Sequence, residues 1–139
     1  MAVAAVTPRV RTIVICDDVT ASQTEEEVFT LEGVRLDLKA ESLPCRARLS
    51  LFLVLSSARK GRYPGKVLLV NMENDKPIRY VKFVASFEQD NDLLPLHVEM
   101  GDCSFPGAGP YNFEVYLSAQ GGGEALKGEH PFNVFGYED

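Results

Sequence analysis

The chain has 139 residues, 45% of them apolar and 24% charged, with 20 acidic against 14 basic side chains and a formal charge of -6. These proportions exclude a largely disordered chain, and the negative balance repels phosphate, so nucleic acid and anionic lipid are poor partners. Three cysteines, Cys16, Cys45 and Cys103, are an odd number at spacings that match no CxxC or zinc-ribbon pattern. They fit a reducing compartment, so a cytoplasmic location is expected, with each thiol packed as a small hydrophobe.

The length suits one domain. Residues 1–9 read as a loose arm and residues 10–139 as a single all-β domain. The apolar start is interrupted by Thr7, Pro8, Arg9 and Arg11 before a signal-peptide core develops, and no stretch approaches the ~20 apolar residues that span a bilayer. Strand one runs from Val10 or Arg11 to Cys16, with Ile13 and Ile15 on one face, and Asp17-Asp18 turns the chain. After a polar segment containing Glu25-Glu26-Glu27, Val34, Leu36 and Leu38 alternate with Arg35, Asp37 and Lys39, predicting a half-buried strand that follows a break at Gly33.

Ala47 to Ser56 is the most apolar run. Leu49, Leu51, Leu53 and Leu55 fall on one face, Phe52 and Val54 on the other, which predicts a central strand whose second side is covered by the N-terminal arm, by a loop or by another protein. Lys66 to Met72 and Pro77 to Glu88 flank Glu73-Asn74-Asp75-Lys76 and predict a hairpin. An acidic loop follows. Leu94, Leu96, Val98 and Met100 then alternate with Pro95, His97 and Glu99, where the proline marks an edge strand. Tyr111 to Ser118 and Leu126 to Phe135, joined by Gly121-Gly122-Gly123, form a terminal hairpin. The count is about eight strands, the spacing of a single antiparallel β-sandwich, immunoglobulin-like or jelly-roll-like. Tyr63-Pro64-Gly65 and Phe105-Pro106-Gly107 stand as two similar gateways before apolar strands, a likeness that turn geometry alone explains.

Cys16-Asp17-Asp18-Val19, Leu31-Glu32-Gly33-Val34, the run from Pro106-Gly107 to Leu117, and Pro131-Phe132-Asn133-Val134 resemble a family of small bacterial β-sandwich proteins of uncharacterised function. The closing portion is similar to immunoglobulin-like modules. The resemblance implies a β-sandwich of bacterial or phage origin and carries no activity with it.

No catalytic or cofactor signature stands out, and no cofactor is expected. His97 falls on the polar phase of its strand, and neither it nor His130 has a spaced partner; a hairpin pairing Cys103 with His97 would lack a third, orienting group. The glycine triplet is followed by no lysine and leads into a strand, unlike a phosphate loop. The aromatics Phe52, Phe83, Phe87, Phe113, Tyr116 and Phe132 suit core packing better than a sugar platform. Two functional readings remain. The first is a non-enzymatic module that binds a protein partner or itself through an apolar sheet face and strand edges, with Phe52, Val54, Val81, Phe83 and Tyr116 as contact residues. The alternative is a calcium or small-ligand module in which Asp17, Asp18, Glu88, Asp90, Asp92 and Asp102 converge at one pole.

Overall fold

The most apolar run of the sequence becomes the middle strand of a sheet. The computed structural model describes residues 8–119 and 123–136. Ten strands are formed there and no helix: β1 (Arg9–Cys16), β2 (Asp18–Ala21), β3 (Phe29–Glu32), β4 (Leu38–Ala40), β5 (Cys45–Ser57), β6 (Gly61–Asn71), β7 (Lys76–Phe87), β8 (Asp92–Phe105), β9 (Gly109–Ser118) and β10 (Glu124–Gly136). They make a three-stranded sheet ordered β1-β5-β8, a five-stranded sheet ordered β4-β10-β9-β6-β7, and the two-stranded hairpin β2-β3. The all-β expectation therefore holds, while the number of strands is ten rather than about eight. Pairing is antiparallel except between β4 and β10, which run parallel through Leu38 opposite Val134 and Ala40 opposite Gly136.

The core follows from period-two patterning. Leu49, Leu51, Leu53 and Leu55 point from β5 into a single apolar cluster that also takes Ile15 from β1, Val98 and Met100 from β8, Val67 and Leu69 from β6, Phe113, Val115 and Leu117 from β9, and Phe132 and Val134 from β10. Both larger sheets thus contribute their inner faces to the same core. Phe132 is its aromatic hub: its ring lies 5.3 Å from Phe113, 5.9 Å from Tyr111 and 6.0 Å from Phe105 between centroids.

The two gateways have the same local structure. Tyr63 donates its hydroxyl to the Arg59 carbonyl at 3.0 Å, and Tyr111 donates to the Gly107 carbonyl at 2.7 Å, each reaching four residues back across its turn. Both rings are fully buried and meet an aromatic edge-on, Phe87 in one case and Phe105 in the other. A glycine two positions before each tyrosine, Gly61 at φ +146° and Gly109 at φ +137°, takes a conformation that L side chains rarely adopt and so turns the chain into the strand. Pro64-Gly65, expected to precede a strand, instead lies inside β6, opposite Val84 and Phe83. The Phe83 ring closes over Gly65, where a Cβ would sit 2.5 Å from its Cζ and 2.9 Å from the Tyr116 carbonyl oxygen.

One expected strand is broken. Val34 and Leu36 are 55% and 77% exposed, and only Leu38 of that alternation is buried. Gly33, at φ +64°, swings the chain back, so the following backbone returns to β1: the Arg35 N–H donates to the Ile15 carbonyl at 2.8 Å. The expected arm ends sooner than predicted, because β1 begins at Arg9. Residues 1–7 of that arm and residues 120–122, which hold most of the expected glycine tip, lie outside the described residues. Among the described residues no helix is long and apolar enough to cross a membrane.

Candidate protein-docking surface

The outer face of the three-stranded sheet is partly roofed by the β2-β3 hairpin. A bidentate clamp holds the hairpin's base, with Arg35 Nε and Nη2 donating to the Asp17 carboxylate at 2.6 and 3.0 Å, while the Asp17 N–H donates to the Glu32 carbonyl at 2.8 Å. At the hairpin's tip Ser22 Oγ accepts from the N–H groups of Thr24 and Glu25, which places the acidic run in the turn. The Phe29 ring rests on Phe52 with centroids 5.3 Å apart. Cys16 and Ser50, cross-strand partners one position beyond the inward pair Ile15 and Leu51, are both buried beside this roof. The second side of β5 is therefore covered in part by a segment of the same chain.

His97 sits at the margin of the roof, not free in solvent. Its Nε2 lies 2.9 Å from Ser50 Oγ and 4.0 Å from Asp18 Oδ1. A nucleophilic relay needs the two imidazole nitrogens to serve different partners, base on one side and orienting carboxylate on the other. Here both oxygens approach the same nitrogen and Ser50 is buried, so the contacts link the hairpin to the sheet and do not set out the two-sided geometry of such a relay.

Beyond the roof the face opens into an apolar groove. A cavity of about 180 Å³ is lined by Phe29, Phe52, Val54, Leu93 and Pro95, with Glu27 at its lip. Val54 and Pro95 are cross-strand partners, and Leu93 stands opposite Ser56 with 60% of its surface exposed. Leu93 is also a wall of an adjoining basin of about 450 Å³ that takes Arg9, Arg11, Ser56 and Asp92. The Arg11 guanidinium donates to Ser56 Oγ at 2.8 Å, so the basin has a basic rim held in place beside the groove. An apolar floor next to a polar, charged rim is the anatomy of a protein-binding patch.

Of the five expected contact residues, Phe52 and Val54 lie in this groove. Tyr116 lies on the outer side of the five-stranded sheet, opposite Lys66. Val81 and Phe83 are corrected: they share the phase of Ala85 and Phe87, stand opposite Val67 and Gly65, and pack against the core. The outward residues of β7 are Tyr80, Lys82 and Val84, a phase that apolar residues on both sides of the strand leave ambiguous in the sequence. The adjoining edges of β7 and β8 are bridged by the Arg79 guanidinium, which donates to the Met100 carbonyl.

The six acidic residues do not converge. Asp92 opens β8 and Asp102 lies ten positions along the same strand, roughly 30 Å away at ~3.3 Å per residue. Asp17 is engaged by Arg35, Asp90 Oδ1 accepts from the Lys60 N–H at 2.9 Å, Asp18 and Asp92 accept from the N–H groups of Val19 and Leu93, and Asp102 stands opposite Arg48. Glu88 is exposed just after β7. Among the described residues no three His, Cys, Asp or Glu side chains are gathered to hold a metal ion.

Cys103 and His97 point to opposite faces of β8, opposite Ala47 and Phe52 respectively, so they form no pair. Burial pushes the Cys103 thiol up to about 11, and burial raises Cys16 and Cys45 as well. The native protein is accordingly expected to resist alkylation at Cys103 near neutral pH, with labelling appearing only on unfolding, and mass spectrometry after a maleimide pulse reads this directly. Because the folded value lies above the unfolded one, the protonated thiol favours the native state below pH ~9, and that contribution is lost as pH rises from about 9 towards 11.

Phe29, Leu93, Pro95, Arg9 and Arg11 were not among the contact residues expected from the sequence. Leu93 carried a signal: in the doublet Leu93-Leu94 only one residue can face the core, and the alternation already assigned Leu94 inward. Phe29 carried none, because its roofing role depends on where a short hairpin folds back. No protein-family model matches the chain, and no curated protein matches it to a significant degree.

Proposed function

We propose that this chain is a non-enzymatic binding module of a bacterial or phage system that docks another protein through the groove between the β2-β3 roof and the β8 edge. The observation that carries this reading is the open apolar floor of Phe52, Val54, Leu93 and Pro95, an exposed greasy surface beside a core that is otherwise filled. β8 is the edge strand of its sheet beside the groove, and an edge strand can take an extended partner segment. Three free cysteines support a reducing, cytoplasmic setting.

The finer fold reading is an immunoglobulin-like sandwich. Two features support it: the order β10-β9-β6-β7 faces a β1-β5-β8 sheet across one core, and the Tyr111 hydroxyl folds back on the Gly107 carbonyl at the β8-β9 corner, as in the tyrosine corner of such sandwiches. In such folds binding is a property of surface loops and faces, not of the shared core.

Affinity capture from the host tests the function with three baits: the native chain, Leu93→Asp in the groove, and Tyr80→Asp on the opposite side. Leu93→Asp is expected to leave stability within about 0.5 kcal/mol, since the side chain is exposed. A specific protein recovered by the native chain and by Tyr80→Asp, and lost with Leu93→Asp, is the expected result. An identical set of proteins on all three baits contradicts the groove.

A further inference from the structure

The outer face of the five-stranded sheet carries a charge pattern that is complementary to itself. Register places Tyr80, Leu68, Glu114 and Glu129 in one row across β7, β6, β9 and β10, and Lys82, Lys66, Tyr116 and Leu126 in the next. The face is thus divided into four corners: basic (Lys66, Lys82), acidic (Glu114, Glu129), and two apolar (Tyr80 with Leu68, Tyr116 with Leu126). The basic and acidic corners lie on one diagonal and the apolar corners on the other.

Within a single chain this arrangement is unfavourable. Lys82 stands directly opposite Lys66, and Glu114 directly opposite Glu129, and like charges facing each other across strands destabilise a sheet. The acidic corner is nonetheless held in a fixed geometry: the Tyr116 hydroxyl donates to Glu114 Oε1 at 2.8 Å and Asn112 Nδ2 donates to Glu129 Oε2 at 3.1 Å. Lys66 is steadied by Glu124 at 2.9 Å and lies 5.3 Å over the Tyr116 ring, whereas Lys82 makes no ion pair among the described residues. Tyr80 is 60% exposed, so its own chain leaves most of it uncovered.

We infer that this face binds a second copy of the chain, independently of what docks in the groove on the other sheet. A two-fold axis lying in the face, oblique to the strands and running near the line between the apolar corners, sets the basic corner of one copy on the acidic corner of the other. The same operation brings each apolar corner against its own counterpart. Strands ~4.8 Å apart and same-face residues ~6.8 Å apart put the corners within side-chain reach of these partners. Both like-charge pairs then gain opposite charges, so the pattern that strains one chain favours two.

Sedimentation equilibrium at low ionic strength tests the pairing. The native chain is expected to form a species of twice the chain mass, weakening as salt is raised. Lys66→Glu with Lys82→Glu, and separately Glu114→Lys with Glu129→Lys, are each expected to weaken self-association about tenfold or more. The second variant makes the formal charge of -6 less negative by four units, so a loss there reports the pattern and not general repulsion. An equal mixture of the two variants is expected to restore the dimer, because every corner then meets its opposite. A native chain that stays monomeric throughout the micromolar range, variants that associate like the native chain, or a mixture that stays monomeric overturns the proposal. Amide exchange of the native chain needs no folded variant: protection that grows with concentration at residues 66–68, 80–82 and 114–116 is expected, and its absence there contradicts the pairing. Because Leu93 lies on the other sheet, none of these failures touches the groove.

Discussion

Replacing Phe132 with alanine is expected to lower stability by about 3–5 kcal/mol, seen as a fall in Tm of roughly 10–20 °C. Phe132 is almost fully buried and its ring is stacked on Phe113 while meeting Phe105 edge-on, so truncation removes contacts on several sides and leaves a cavity that β-strands locked in register cannot collapse to fill. Against a typical stability of ~5–15 kcal/mol, that loss is a large share of the total. The matching control is Tyr116→Ala, another aromatic on a neighbouring strand but on the outer face, for which the expected change is under about 1 kcal/mol. Similar costs for the two substitutions contradict the assignment of inner and outer faces.

The second large effect comes from two oxygen atoms. Tyr63→Phe and Tyr111→Phe each remove a buried hydroxyl while leaving the ring in place; Tyr111→Phe takes the tyrosine donor from the Gly107 carbonyl, and Tyr63→Phe leaves the Arg59 carbonyl with the Ser57 hydroxyl alone, at 2.7 Å. Each is expected to destabilise by about 1–2 kcal/mol. The double variant is expected to lose the sum, within about 0.5 kcal/mol, because the two tyrosines contact different aromatic neighbours. Urea unfolding with an unchanged m-value checks this, since a changed slope reports altered compactness in place of a lost bond. A neutral outcome at either position contradicts the account of the turns as hydroxyl-locked corners.

Much of this architecture was legible in residue order because long strands declare themselves by period. Leu49, Leu51, Leu53 and Leu55 define an inner face without outside help, and Pro95 marked β8 as an edge strand, which is its place in the sheet. Short elements were not legible. The break at Gly33 was expected, but the strand expected to resume at Val34 does not: Arg35 is held by Asp17, eighteen residues back, and only Leu38–Ala40 form a strand, β4. Periodicity reports which side chains can share a face, and has no information about a distant ion partner that pulls the backbone off course. The same limit applies to the site. Phe52 and Val54 could be found as leftover apolar residues on a two-sided strand, whereas Val81 and Phe83 were misplaced because β7 offers apolar residues in both phases and only pairing with Val67 and Gly65 decides between them. The likeness between the two gateways, legible as Gly-x-Tyr in both, turned out to be a shared corner in which glycine turns the chain and tyrosine ties it.

The groove makes the most direct demand on experiment. A photoreactive amino acid placed at position 93 and activated in intact host cells samples whatever lies against Leu93, with the same residue at position 102, facing Arg48 farther along β8, as the reference. A discrete protein adduct from position 93 and none from position 102 is the predicted result. Adducts that are equally absent, or equally diffuse, at both positions contradict a dedicated docking surface on the three-stranded sheet.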